Sequence, residues 1–199
     1  MTEHLLDVRP LRKPDKHPAI FAEYQDLRVG GSFVLVNNHD PKHLRDEFDT
    51  DHPGSYGWEY LQTGPEQWRI RISKITSTPL PRVLVNTVDL VEHAESDATG
   101  AVWKLQMRER DLDSNIVALP PEGVIGAHTG PDLDVLIHVL AGSGCLTTER
   151  GEVDLRTGAV VWLPRRSRRQ FAAGPDGLRY FTVHQRRESL VLHVAPRVG

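Results

Sequence analysis

Val135-Leu136-Ile137-His138-Val139-Leu140-Ala141-Gly142-Ser143-Gly144 is the stretch on which the architecture of this chain turns: an apolar run closed by a glycine-serine-glycine turn. Ahead of it stand Pro121-Glu122-Gly123 and His128. Behind it, residues 146–149 and 153–155 predict short strands joined by the tight turn Arg150-Gly151-Glu152. Gly158-Ala159-Val160-Val161-Trp162-Leu163-Pro164 is another apolar run, ended by a proline that cannot donate to a strand ladder. Upstream, residues 82–90 and 101–107 predict strands separated by a polar turn at 95–100, and residues 117–121 lead into the central run. Downstream, a turn at Gly174-Pro175-Asp176-Gly177 precedes two closing strands at 178–184 and 190–194. Many short strands with Gly and Pro punctuation and no helical period predict an all-β double-sheet barrel over 82–199.

These residues resemble the cupin family. Its first motif combines Pro-Gly, a His-x-His pair, an acidic residue, a strand and Gly-x-Gly; its second has Gly-Asp, an apolar run, Pro-x-Gly and a third histidine. Gly123, His128, residues 135–140, Gly142, Gly144, Gly158, Leu163 and Pro164 match the scaffold. The metal ligands do not match. Gly130 stands where the second histidine belongs, the acidic position falls on Asp134 or, counted back from Gly142, on Val135, Arg169 takes the third histidine's place, and Arg166 the glycine's. The resemblance implies a cupin barrel with an incomplete metal site, and a homodimer formed through that domain.

The first part of the chain has a different pattern. Residues 5–8 suit a short strand; Pro10, Pro14 and Pro18 precede a run in which Ile20, Phe21, Tyr24 and Leu27 recur at helical spacing, stopped by Gly30-Gly31. Ser32-Phe33-Val34-Leu35-Val36-Asn37 predicts a buried strand. His39-Asp40-Pro41 predicts a helix start, with Asp40 as cap, Pro41 at the first helical position, and Leu44 and Phe48 as the apolar stripe. Strands at 56–62 and 68–72 complete the unit, and residues 76–81 form a linker. The order strand-helix-strand-helix-strand-strand predicts an α+β two-layer sandwich over 1–75. With Asp7-Val8-Arg9-Pro10, His17-Pro18, Asn38-His39-Asp40-Pro41 and Gly64-Pro65-Glu66-Gln67-Trp68, this unit resembles an uncharacterised bacterial domain family related to the TusA-like sulfur carriers. Carriers of that kind use a cysteine near the end of the first strand; Arg9-Pro10-Leu11 holds none, which excludes sulfur carriage by that chemistry.

Composition sets outer bounds. The chain has 199 residues, 39% of them hydrophobic, enough to bury a core, and its net charge of -3 argues against general binding to nucleic acid or acidic membranes. No apolar run approaches the ~20 residues that span a bilayer, and no signal-peptide pattern is present, so a cytoplasmic location is expected. The lone cysteine, Cys145, excludes an intramolecular disulfide and suits packing at a strand end better than reactivity.

Two chemistries compete in the second domain. A metal reading needs three ligands from His and carboxylates; His128 is the one motif ligand of the right type, and Asp132, Asp134, His138 or His184 would have to be recruited, with His128, Asp134 and His138 as the set for a divalent transition metal. Strand parity opposes part of that set: if Val135 points inward, so do Ile137 and Val139, and His138 faces out. The other reading places a permanent cation, Arg169, where a metal would sit, able to grip a carboxylate or phosphate with two prongs and needing no cofactor. Arg166 then stands near the mouth and Trp162 forms an apolar wall; the alternative for the arginines of 165–169 other than Arg169 is a solvated basic rim or pairing with Asp132, Asp134 and Glu122. In the first domain, His17, Asn38, His39 and Asp40, with His43, gather at two helix starts as an anion, metal or partner site.

The expectation is a two-domain small-molecule binding or regulatory protein whose barrel holds a small organic anion. A metal-dependent cupin enzyme of dioxygenase or isomerase type, using His128 with non-standard ligands, is the alternative; a third is an interaction module docking a redox or sulfur-handling partner through the first domain. No nucleophile elbow, phosphate-cradling glycine loop or His-Glu-x-x-His pattern supports hydrolase or nucleotide chemistry.

Overall fold

The structure is a computed structural model that describes residues 4–93, 95 and 97–186. The chain divides into two compact units, residues 1–84 and 85–199.

The first unit is a four-stranded sheet carrying two helices. Its elements are β1 (Leu5–Asp7), α1 (Lys13–Asp26), β2 (Ser32–Asn37), α2 (Lys42–Asp51), β3 (Tyr56–Thr63) and β4 (Trp68–Lys74), in the sheet order β1-β2-β4-β3. Strand β2 is central, parallel to β1 and antiparallel to β4, and this explains its continuous apolar run: Phe33, Val34 and Leu35 are fully buried. Phe33, Leu35, Ile70 and Ile72 face Ile20 and Tyr24 of α1 and Leu44 and Phe48 of α2, forming one core. Phe48 is its hub, stacked on Phe21 at 4.7 Å and edge-on to Tyr24 at 5.0 Å and Trp58 at 5.9 Å. Such aromatic pairs add about 0.5–1.5 kcal/mol each beyond the area they bury.

Two local expectations are corrected. Helix α1 starts at Lys13, before two of the three prolines expected to precede it: Pro14 sits in the first turn, where its missing N–H costs nothing, and Pro18 lies inside the helix. Asp40 does not cap α2. The cap position is Pro41, without a side-chain bond, and the Asp40 carboxylate instead accepts from the Tyr60 hydroxyl at 3.0 Å. The segment after β4 is tied to the first unit, since the Arg82 guanidinium donates to the Asp49 and Thr50 carbonyls at 2.6 and 2.9 Å.

The second unit is mostly strand: α3 (Thr87–Glu92), β5 (Gly100–Lys104), β6 (Leu112–Leu119), β7 (Val124–Thr129), β8 (Val135–Thr147), β9 (Glu152–Arg156), β10 (Val160–Leu163) and β11 (Arg168–Gln185). Where a strand was expected over 82–90 there is the short helix α3, because Asn86 caps it by accepting from the Val88 amide at 3.0 Å. The strand expected over 101–107 is confined to β5, and that expected over 178–184 is the second half of β11. The strand expected over 190–194 lies outside the described residues.

Long strands β8 and β11 each serve two sheet halves. Their outer stretches, Val135–Ala141 and Leu178–Gln185, pair in the path β10-β8-β11-β6-β5, while their inner stretches, Gly144–Thr147 and Gln170–Ala173, pair with β9 and β7 on either side. The register slips between Ala173 and Leu178 at the corner between the halves. Gly142 belongs to that corner: its φ is 74° and a Cβ there would strike the Gly177 carbonyl. Apolar side chains of both halves, among them Ile137, Val139, Leu146, Leu155, Phe171 and Leu178, form one core. Among the described residues the pairing runs as an open path from β10 to β5, not as a closed ring.

Candidate functional site

Alternation along β11 places Arg169 on the buried face, two residues before Phe171 and four before Ala173. Its residue surface is 4% exposed. Gly130 makes room for it: a Cβ added at Gly130 would fall inside the Arg169 guanidinium. The two departures from the cupin histidines are therefore one arrangement, a glycine that yields the space and an arginine that fills it.

Aromatic rings stand on the buried side of Arg169, while the cavity of about 340 Å³ that it lines is polar, with Thr147, Thr148, Glu149 and Gln170. Tyr180, 5% exposed, stacks on Phe171 with ring centroids 5.4 Å apart. Burial pushes the Arg169 guanidinium below the ordinary arginine range, and Tyr180 opposes the shift. The Tyr180 phenol is pushed up to about 12 by its own burial, with Arg169 acting against it. Among the described residues no carboxylate lies within ion-pair distance of Arg169 and no hydrogen bond to its guanidinium is formed. A buried cation without an anion is costly, so the arrangement favours any small anion able to reach it.

The residues named beside Arg169 are placed differently. His128 pairs with Arg169 across β7 and β11 but is exposed, its Nδ1 2.9 Å from the Gly126 carbonyl oxygen. On β8, Val135, Ile137 and Val139 are buried and His138 is exposed, the parity obtained by counting back from Gly142. Asp134 is on the rim, its Oδ1 accepting from the Arg165 amide at 2.9 Å. His128, Asp134 and His138 are thus not brought together as a ligand set, and among the described residues no three His, Cys, Asp or Glu side chains are grouped to hold a metal ion. His184, another recruit, places Nδ1 2.9 Å from the Gln185 carbonyl oxygen.

Arg166 donates to Asp132 at 2.6 Å on the exposed rim. Its φ of 58° lies in the left-handed region, so the backbone keeps the conformation of the glycine expected in a Pro-x-Gly motif although the residue is arginine. Trp162 is not an inner wall. It is 62% exposed, on the face of β10 opposite Leu163, and stands across from Leu136. Burial and the neighbouring Glu152 push the Cys145 thiol up, the direction opposite to that of an activated thiol.

In the first unit, the residues picked out at the helix starts do converge. A cavity of about 520 Å³ is lined by His17, Asn38, His39, Asp40 and His43, together with Lys13, Lys16 and Asn37, over a floor that includes Val8, Ile20 and Leu44. His17 Nδ1 is 3.0 Å from Glu47 Oε2, and His39 Nδ1 is 2.8 Å from Asn38 Oδ1. The two lysines and Asn37 were not anticipated. Lys13, Lys16, His17 and Ile20 follow the spacing of one helix face, a signal hidden by placing the helix start beyond Pro18.

Residues 5–74 match the model of a family described as "Uncharacterized conserved protein (DUF2249)". No curated protein matches the chain. Among solved structures, the chain is similar to a cupin protein from Bacteroides fragilis, at 19% identity over 49% of this chain and 86% of that one, with a TM-score of 0.40. It is also similar to a cupin-2 domain containing protein from Shewanella frigidimarina, at 16% identity over 52% and 95% with a TM-score of 0.42, and to KdgF from Halomonas sp., at 21% identity over 43% and 78% with a TM-score of 0.38.

Proposed function

We propose that the protein binds a small organic anion in a cupin-like second unit, without a catalytic metal, and acts as a binding or regulatory module. The single observation that carries this reading is Arg169, a guanidinium on the core face with no anionic partner among the described residues. Because an arginine stays charged at physiological pH, its site selects for a negative ligand, and its planar fork suits a carboxylate or phosphate. Metal-dependent enzyme chemistry centred on His128 is the rival reading, and the outward placement of His138 weighs against its ligand set. The first unit stands as an α+β sandwich akin to the TusA-like carriers, with partner docking in place of sulfur transfer.

Titration calorimetry of the full chain against acetate, succinate and inorganic phosphate tests the proposal. At least one acid binds, and Arg169→Ala weakens it by about 10–100-fold, the loss expected when a hydrogen bond to a charged group is removed. Unchanged affinity in Arg169→Ala, or a stoichiometric transition metal found by elemental analysis and lost with His128→Ala, would replace this reading with the metal one. A homodimer is part of the same proposal. Leu136, Val160 and Trp162 are 46%, 61% and 62% exposed on one outer face beside the edge strand β10, an apolar surface suited to self-association. Light scattering showing a monomer at micromolar concentration would remove the dimer.

A further inference from the structure

The cavity of the first unit carries an inference of its own, independent of Arg169. Its volume of about 520 Å³ is in the range of small-molecule sites. Its floor is apolar, with Val8 and Leu44 fully buried and Ile20 2% exposed. Lys13 and Lys16 stand over that floor, and among the described residues neither has a carboxylate within ion-pair distance. The acids nearby are engaged: Asp40 accepts from Tyr60, Glu47 faces His17, and Asp7, which Lys16 influences through space, is paired with Arg9. The first turns of α1 and α2 both contribute to the lining and bring the positive ends of two helices to it; α2 has no side-chain cap, whereas in α1 Pro14 has no N–H and the Asp15 amide donates to the Arg12 carbonyl.

The observation that points to a ligand is Asn37. It is 4% exposed and lines the cavity; its Nδ2 donates to the His39 carbonyl at 3.0 Å, and its Oδ1 is buried with no partner among the described residues. A buried acceptor left unpaired is costly, and an N–H or O–H group entering the cavity would satisfy it.

We propose that this cavity binds a small organic acid that carries a hydroxyl or amino donor: its oxyanion toward Lys13, Lys16 and the helix starts, its carbon body on Ile20 and Leu44, and its donor toward Asn37 Oδ1. The geometry asks for all three features at once, which excludes bare inorganic anions and simple fatty acids as good ligands.

Ligand-observed NMR and calorimetry on the full chain, with lactate, glycerate, serine, propionate and inorganic phosphate as probes, provide the test. At least one of lactate, glycerate and serine binds more tightly than propionate, which lacks the donor, and than phosphate, which lacks the apolar body. The double variant Lys13→Gln, Lys16→Gln, which removes both charges from an exposed and a half-buried position, weakens that binding at least about tenfold, while Arg169→Ala leaves it unaltered. Binding lost in Arg169→Ala but kept in the lysine variant would assign the acid to the second unit and overturn this site while supporting the other. Equal affinity for propionate and lactate, or no probe bound at millimolar concentration, would also overturn it.

Discussion

The two units handle buried polarity in opposite ways. In the first, the core between sheet and helices is apolar and aromatic, with Phe48 at its centre, and the polar residues stand in a cavity at the helix starts. In the second, a full charge is turned into the core face itself, beside Tyr180 and Phe171, and a glycine in the neighbouring loop is needed to admit it. A polar cavity at the end of a layer keeps its ions near water and costs the fold little. A guanidinium on the inner face of a sheet couples whatever binds it to the stability of the whole unit.

The strongest way to break that comparison is at the hub of the apolar unit. Phe48→Ala is expected to cost about 3–5 kcal/mol, since it removes a fully buried ring and its partners cannot close the gap. Denaturant unfolding followed by tryptophan fluorescence measures it, and a cost below about 1 kcal/mol would mean that the core is not organised around this ring.

Alkaline titration comes next; burial also pushes up Tyr24 and Tyr56 of the first unit, so a Tyr180 variant is needed to isolate the second. The folded pKa of Tyr180, at about 12, exceeds its ordinary value of 10.0. Below pH 10 both states hold the proton; between 10 and 12 the unfolded state loses it first, so stability falls as pH rises. The loss reaches about 2–3 kcal/mol, and Tyr180→Phe removes that part of the slope. An identical alkaline profile in the variant would show that the phenol is not held in the core.

Gly130→Ala sharpens the claim that glycine and arginine form one arrangement. It is expected to cost about 1 kcal/mol, since the guanidinium that must leave is the far end of a flexible side chain, and to cost less than about 0.5 kcal/mol in an Arg169→Ala background. Additive effects in that double-mutant cycle would separate the two residues. The smallest expected change is a gain. Glu122 has a φ of 58°, so Glu122→Gly should relieve backbone strain and raise stability by about 0.5–1 kcal/mol, read as a higher unfolding midpoint.

Legibility differs between the units for a physical reason. In the first, the elements follow local patterns: the apolar run 32–37 becomes the central strand, and 20, 21, 24 and 27 mark a helix. The misplaced start of α1 shows the limit of local rules, since tertiary packing carries Pro18 within a helix that propensity alone would end. That one error concealed Lys13 and Lys16. In the second unit, parity counted from Gly142 predicted which residues of β8 face inward, but the side of β10 on which Trp162 lies, and the helix at Thr87–Glu92, were not visible. Alternation has two phases, and only pairing with a buried neighbour selects one of them.

The amino-acid sequence by itself determined the existence of most strands and helices, the division into an α+β part and a β part, and the presence of glycine at 130 and arginine at 169, because periodicity and residue type are local properties. Only the tertiary structure decided that Gly130 and Arg169 share one space, that His138 and Trp162 turn outward, and that two lysines and an unpaired asparagine oxygen meet in one cavity. Those facts depend on which distant segments lie side by side, and no single segment contains that information.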